Sequence, residues 1–374
     1  MLRIGIVGLP NVGKSTLFRA LTKKQVNIDN YPFVTIEPNV GIVEVPDERV
    51  DKLAELSNSG KKINAVVEFV DIAGLVKGAA EGQGLGNKFL SHIKEVDAVA
   101  EVVRVFSAEG GTTSGGEDVV HIYGSTNPMR DIEIIELELI LKDLETVNLR
   151  LATIEKDAKS GSKTAISQKE LLEELRIGLE KEEGASDILK KCGRDISQKE
   201  YKILLNELLL LTAKPRIFVL NGSESQVRGR WTPPAELLQK IGGDPWLLVS
   251  AKTEDELNSL SGEERKEYLK DLGLEESGLD HLIRIGYKTL NLITFLTTGE
   301  DETRAWTIPA SSVAPRAGRA IHSDFEEKFI RAEVIPYEKL TEAGSMAKAR
   351  ELGWIRTEGK EYTVKDGDVI EFKI

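Results

Sequence analysis

Gly8-Leu9-Pro10-Asn11-Val12-Gly13-Lys14-Ser15, near the start of a 374-residue chain, fits the pattern G-x-x-x-x-G-K-[ST]. Residues 2–7 before it are apolar and β-rich and read as a strand. Residues 15–21 after it read as the opening of an amphipathic helix. A strand, a glycine loop and a helix N-terminus in that order bring exposed backbone amides and the positive end of a helix dipole to one point. Such a point binds phosphate. In this pattern the Lys14 ammonium reaches the β- and γ-phosphates and the Ser15 hydroxyl is a Mg²⁺ ligand. The expected ligand is a nucleoside triphosphate.

Further strand-like runs lie at residues 40–45, 65–70, 98–106, 214–221 and 246–250. They are close to continuously apolar and spaced by helical patterns, which argues for an α/β fold with a parallel sheet covered on both faces. Between Phe106 and Pro215 the chain is far longer than one crossover helix requires, and mostly charged. Ile134, Leu137, Leu141, Leu144 and Leu151 fall at alternating spacings of three and four, with Asn148 filling the gap in that heptad seam, and Ser160-Gly161-Ser162 looks like a reversal. This predicts an antiparallel helical (coiled-coil) arm inserted at about 128–212 into a nucleotide-binding domain of residues 1–270. After about residue 289 the pattern changes to short strands and turns, with a turn signal at Asp366-Gly367. Residues 289–372 read as a separate small α+β module. Every phosphate and base motif lies upstream of it, so it is expected to be dispensable for nucleotide binding.

Composition narrows the setting. A formal net charge of −12 excludes a chain that is basic overall, and no sequence-specific DNA binding is expected. The single Cys192 permits no internal disulfide and suits a reducing compartment. The chain leads directly into a core strand, and no run approaches the roughly 18 apolar residues of a membrane span. A soluble, cytoplasmic monomer without membrane contact is expected.

A second motif, Asp71-Ile72-Ala73-Gly74, follows the strand at 65–70. There the Asp71 carboxylate can hold Mg²⁺ through its water shell, and the Gly74 amide can sense a γ-phosphate. Thr35, between the two motifs, offers a second hydroxyl to the metal. Base recognition departs from the guanine-reading pattern. Asn-Lys-x-Asp is replaced by Asn221-Gly222-Ser223-Glu224, with a longer carboxylate and no lysine stem over the base. This edge favours adenine over guanine. Ser250-Ala251-Lys252 matches a loop whose backbone contacts the base. Leu75 stands where many relatives use Gln to orient the attacking water, so slow turnover is expected.

Together these stretches resemble the YchF or Obg-like ATPases of the TRAFAC class of P-loop NTPases, over nearly the whole chain. The carrying residues include 8–16, Tyr31-Pro32-Phe33, residues 35–39, 71–79 and 82–90, and Asn221 with Glu224. Leu292-Ile293-Thr294-Phe295, Arg304-Ala305-Trp306-Thr307 and residues 321–325 are similar to a TGS domain, a β-grasp module. The resemblance implies an ATP-preferring, Mg²⁺-dependent hydrolase with a coiled-coil arm, acting at the ribosome or in stress control. It implies that Asn11, Val12, Gly13, Lys14, Ser15 and Thr16 wrap the phosphates. Ser15 and Thr35 would then ligate Mg²⁺, and Asn221 with Gly222 would border the base. His121 matches a family histidine that stands in for the missing Gln. Asn11 occupies the position that in K⁺-activated relatives helps hold a monovalent cation. An Obg-like GTPase and a non-hydrolysing ATP-sensing module remain open as alternatives.

Overall fold

The computed structural model describes residues 2–24, 39–72, 90, 92–106 and 126–374. Twelve strands among the described residues are β1 Arg3–Val7, β2 Val40–Glu44, β3 Lys61–Ile63, β4 Val66–Asp71, β5 Ala98–Arg104 and β6 Arg216–Asn221. They continue with β7 Trp246–Val249, β8 Leu292–Thr298, β9 Glu302–Pro309, β10 Arg331–Pro336, β11 Arg356–Glu358 and β12 Asp368–Lys373. The chain divides into two compact units, residues 3–20 with 70–278, and residues 1–2 with 21–69 and 279–374. This division differs from the 1–270 and 289–372 boundaries, because residues 21–69 fold with the C-terminal part.

In the first unit β1, β5, β6 and β7 are parallel neighbours, with Ile4 opposite Ala98, Arg104 opposite Asn221, and Asn221 opposite Val249. β5 is buried at every position, so it reads as a nearly unbroken apolar run. The exceptions are Glu101 in mid-strand and Arg104 at its end. The ends of β1, β5, β6 and β7 share one edge, the edge where open α/β sheets hold ligands.

The arm departs from this sheet on the helix Pro128–Lys159, begun by Asn127, whose side chain accepts from the Arg130 amide. Gly161, with φ +84, turns the chain back into the helix Lys163–Leu179, and the shorter helices Ala185–Lys191 and Lys199–Leu208 join the same core. The buried stripe on the first helix is Ile132, Ile135, Leu139, Asp143, Val147 and Ile154. The expected seam is thus partly displaced. Leu144 and Leu151 pack against the core, but Leu137 and Leu141 are 41% and 46% exposed. The reason is packing: besides its antiparallel partner Lys163–Leu179, the helix Lys199–Leu208 and the 3-10 turn Leu211–Ala213 also cover this helix, so more than one partner sets its buried face. Asp143 closes the arm by accepting from Leu211 N at 2.7 Å, Thr212 N at 2.8 Å and Thr212 Oγ1 at 2.6 Å.

In the second unit β2 pairs with β4, and a six-stranded sheet runs β11-β10-β12-β8-β9-β3. β12 lies parallel to β8 and antiparallel to β10, and the core gathers Phe295, Phe329, Val334, Ile370 and Phe372. Phe295 meets Phe372 edge-on, with ring centroids 5.6 Å apart. Asp366-Gly367 makes a turn into β12 and not a two-strand hairpin. Gly367 N donates to Thr294 O, and Thr294 N donates to Asp366 Oδ1, both at 2.8 Å. The outermost strand, β3, comes from between the two phosphate motifs and pairs parallel to β9, Lys61 opposite Glu302 and Ile63 opposite Arg304. A chain of hydroxyls fixes it. Ser59 Oγ lies 2.7 Å from Thr303 Oγ1, which lies 2.6 Å from Thr298 Oγ1, and Thr298 Oγ1 donates to Ser57 Oγ at 2.8 Å. No helix of the described residues is long and apolar enough to cross a membrane.

Candidate nucleotide site

The glycine loop leaves β1 and enters the helix Lys14–Thr22, whose first bond runs from Leu17 N to Gly13 O at 2.9 Å. The loop adopts two left-handed residues, Asn11 at φ 66 and Gly13 at φ 97. Asparagine tolerates that region and glycine has no penalty there. Gly13 is required for a second reason: a Cβ would lie 2.1 Å from Asn221 Nδ2.

That contact exists because Asn221, buried at the end of β6, clamps the corner. Its Nδ2 donates to Val12 O at 2.7 Å, and its Oδ1 accepts from Ala251 N at 3.0 Å. One amide therefore joins the phosphate loop to the 250–252 loop after β7. Ser250 caps the following helix, accepting from Thr253 N at 3.3 Å, so its hydroxyl is committed to structure while the Ala251 amide is held by Asn221.

Lys14 is nearly buried, and its Nζ is paired with Asp71 Oδ1 at the end of β4. The two phosphate motifs, far apart in sequence, meet here. Ser15 is exposed on the first turn beside Lys14, and Thr16 is half-buried. Gly222 donates its amide to Val249 O at 2.7 Å. Its missing Cβ would press to 3.0 Å from Leu248 Cδ1 and 3.2 Å from Gln226 Oε1. Glu224 opens the short helix Glu224–Arg228 and pairs with Arg228 at 3.3 Å. Burial, together with the carboxylates of Glu224 and Glu256, pushes the nearby Tyr268 phenol up. Thr35, Gly74, Leu75 and His121 lie outside the described residues.

Two contributors escaped the sequence reading. Gln226 completes a capping box, accepting from Ser223 N at 2.9 Å, and donates from Nε2 to Val105 O at 3.1 Å. The serine three residues before it was the available signal. Arg104, only 2% exposed at the end of β5, donates from Nη1 to Asn11 O at 3.4 Å. An arginine closing a strand that is apolar but for Glu101 was its signal. Burial lowers its pKa and the nearby Asp131 carboxylate opposes that shift.

Among the described residues no group of three or more His, Cys, Asp or Glu is placed to hold a metal. What the corner offers is a hydroxyl and a carboxylate beside an anion cradle. That donor set fits Mg²⁺, which keeps waters and takes phosphate oxygens rather than an all-protein cage.

Loop, sheet edge and Lys14–Asp71 pairing define a P-loop nucleoside triphosphatase domain. Residues 3–136 match a family model described as a 50S ribosome-binding GTPase, and residues 292–374 match the YchF-GTPase C-terminal model, described as a protein of unknown function. The Ribosome-binding ATPase YchF of Bacillus subtilis is 47% identical over 376 residues, covering 100% of this chain and 99% of the relative. The protein of the same name from Escherichia coli O157:H7 is 43% identical, covering 99% and 98%. The solved structure of the Schizosaccharomyces pombe YchF GTPase is similar with a TM-score of 0.84 and 38% identity, covering 100% of this chain and 97% of that one. The chain belongs to the YchF family.

Proposed function

We propose that this chain is a Mg²⁺-dependent ATPase that hydrolyses ATP slowly to ADP and phosphate and acts as a ribosome-linked switch. The observation that carries the reading is the meeting of Lys14 with Asp71 at the mouth of the glycine loop. Lys14 draws in the β- and γ-phosphate oxygens, while Ser15 and Asp71 offer oxygens to the metal, with Thr35 as a further hydroxyl. When bound, Mg²⁺ neutralises charge that builds on the phosphates in the transition state. Gly74 presents its amide to the γ-phosphate, and Asn221, Gly222, Glu224, Ser250 and Ala251 line the base side. With Leu75 unable to orient water, His121 or a K⁺ ion held beside Asn11 supplies the missing help.

Adenine preference follows from Gly222 and Glu224. The tightness around Gly222 also opposes the lysine that guanine readers carry there. The ribosome enters through the names of the relatives, and no direct DNA contact, no membrane and a monomeric cytoplasmic protein complete the reading. Titration with non-hydrolysable ATP and GTP analogues tests the base. GTP binding as tight as ATP overturns the preference, which should be on the order of a few kcal/mol. Turnover with and without ribosomes, in matched KCl and NaCl, tests the rest. Absence of ADP in a single turnover makes the chain an ATP-ordered binding module, and equal rates in both salts remove K⁺.

A further inference from the structure

Two consecutive carbonyl groups of the phosphate loop are each held by a side chain at the sheet edge. Val12 O accepts from Asn221 Nδ2 at 2.7 Å, and Asn11 O accepts from Arg104 Nη1 at 3.4 Å. A trans peptide is planar, so the C=O of one residue and the N–H of the next point in opposite directions. Turning Asn11 O toward Arg104 therefore aims the Val12 N–H away from the end of β5. Turning Val12 O toward Asn221 does the same for the Gly13 N–H. These are amides of the cradle that successive N–H groups form for an anion.

We propose that Arg104 is a positioning residue for nucleotide binding, setting the Val12 amide toward the phosphates by holding the Asn11 carbonyl; this rests on the nucleotide reading above. Two further contacts, and burial, keep the guanidinium from swinging away. It stacks over the Phe106 ring at 4.2 Å, its Nε donates to Phe106 O at 3.3 Å, and only 2% of the residue is exposed. The planar fork thus grips the phosphate loop and the chain after β5 at once. A cation against a peptide oxygen also polarises that peptide, making its N–H a stronger donor to phosphate. Lysine would keep the charge and one donor but not the stacked fork.

The test uses the full chain as wild type, Arg104→Gln and Arg104→Lys. Three quantities are measured: affinity for Mg·ADP by calorimetry, melting temperature without nucleotide, and KM and kcat for ATP. Arg104→Gln is expected to weaken ADP about tenfold, the loss of one charge-assisted hydrogen bond, and to raise KM similarly with kcat little changed. Its melting temperature should stay near wild type, and Arg104→Lys should recover part of the affinity. Wild-type ADP affinity in the Gln variant overturns the proposal, as does an affinity loss that follows melting loss in both variants. If the Gln variant does not fold, the Lys variant decides: weaker ADP at unchanged melting supports the role, and unchanged ADP overturns it. A wild-type chain that binds neither ADP nor ATP refutes the nucleotide reading instead.

Discussion

At the scale of single residues, Gly13 and Glu101 show opposite consequences of placing a residue at a crowded position. Gly13 leaves room for the Asn221 amide, so any side chain there collides with the clamp that links the phosphate loop to Ala251. Gly13→Ala also meets a left-handed backbone, and should cut ADP affinity at least tenfold in calorimetry while the sheet still melts cooperatively. Glu101 has both carboxylate oxygens buried without a hydrogen-bond partner. Burial raises its pKa from 4.5 to about 8, with Glu136 and Asp244 adding to the rise and Arg216 and Lys240 opposing it. In the folded chain Glu101 therefore keeps its proton to about pH 8, whereas the unfolded chain loses it near 4.5. Stability is fullest below pH 4.5 as far as this group is concerned, and falls as pH rises toward 8. Glu101→Gln should remove that fall and stabilise the chain at pH 8 by a few kcal/mol. Urea melts of both proteins at pH 6 and pH 8.5 measure it; identical pH slopes would refute it. The sequence displayed Glu101 inside an apolar strand, but whether a partner met it depended on residues from β6 and two helices.

Elements were legible to differing depths. The strands at 40–45, 65–70, 98–106, 214–221 and 246–250 appear within a residue or two of their expected bounds, because short, mostly apolar, β-branched-rich runs announce strands by composition. The arm announced its helices but not its buried face. A heptad reading presumes one partner helix, and a stripe containing Asp143 does not register as apolar at all. Asp143 takes three donors from the 211–212 turn, and burial raises its pKa while Thr212 and the backbone amides oppose the rise. Replacing Asp143 with Ala strands two buried amides and should cost about 2–4 kcal/mol. Leu141→Ala, on the exposed side, should stay within about 0.5 kcal/mol. Chemical denaturation of the two variants compares the faces directly. Equal losses would restore the heptad seam.

For the whole molecule, the order of motifs along the chain is a poor guide to what can be removed. Motif positions alone make residues beyond about 290 dispensable, since the bonds of the phosphate corner, from Arg104, Asn221 and Ala251, all close within residues 3–278. Yet β3 takes its only described strand partner from β9, Gly60 N donates to Glu300 O at 2.8 Å, and Arg49 bridges Asp47 and Asp366, each at 2.7 Å. A chain cut at 290 loses all three attachments of the segment that runs from α-helical Glu48–Ser57 through β3 into β4. It is expected to bind ADP within about threefold of the intact protein, because one lost kcal/mol or less reaches that corner. Amides of residues 48–63 should lose much of their hydrogen-exchange protection, since a helix and a strand without packing open locally. The excised module 289–374 should show the complementary defect, exposing the β9 edge and self-associating as concentration rises. Exchange mass spectrometry on the truncated chain, with sedimentation of the excised module, reads both halves. Full protection of residues 48–63 after truncation would mean that the segment holds without residues 290–374, and the C-terminal sheet would then be an appendage rather than the frame for the strand between the two phosphate motifs.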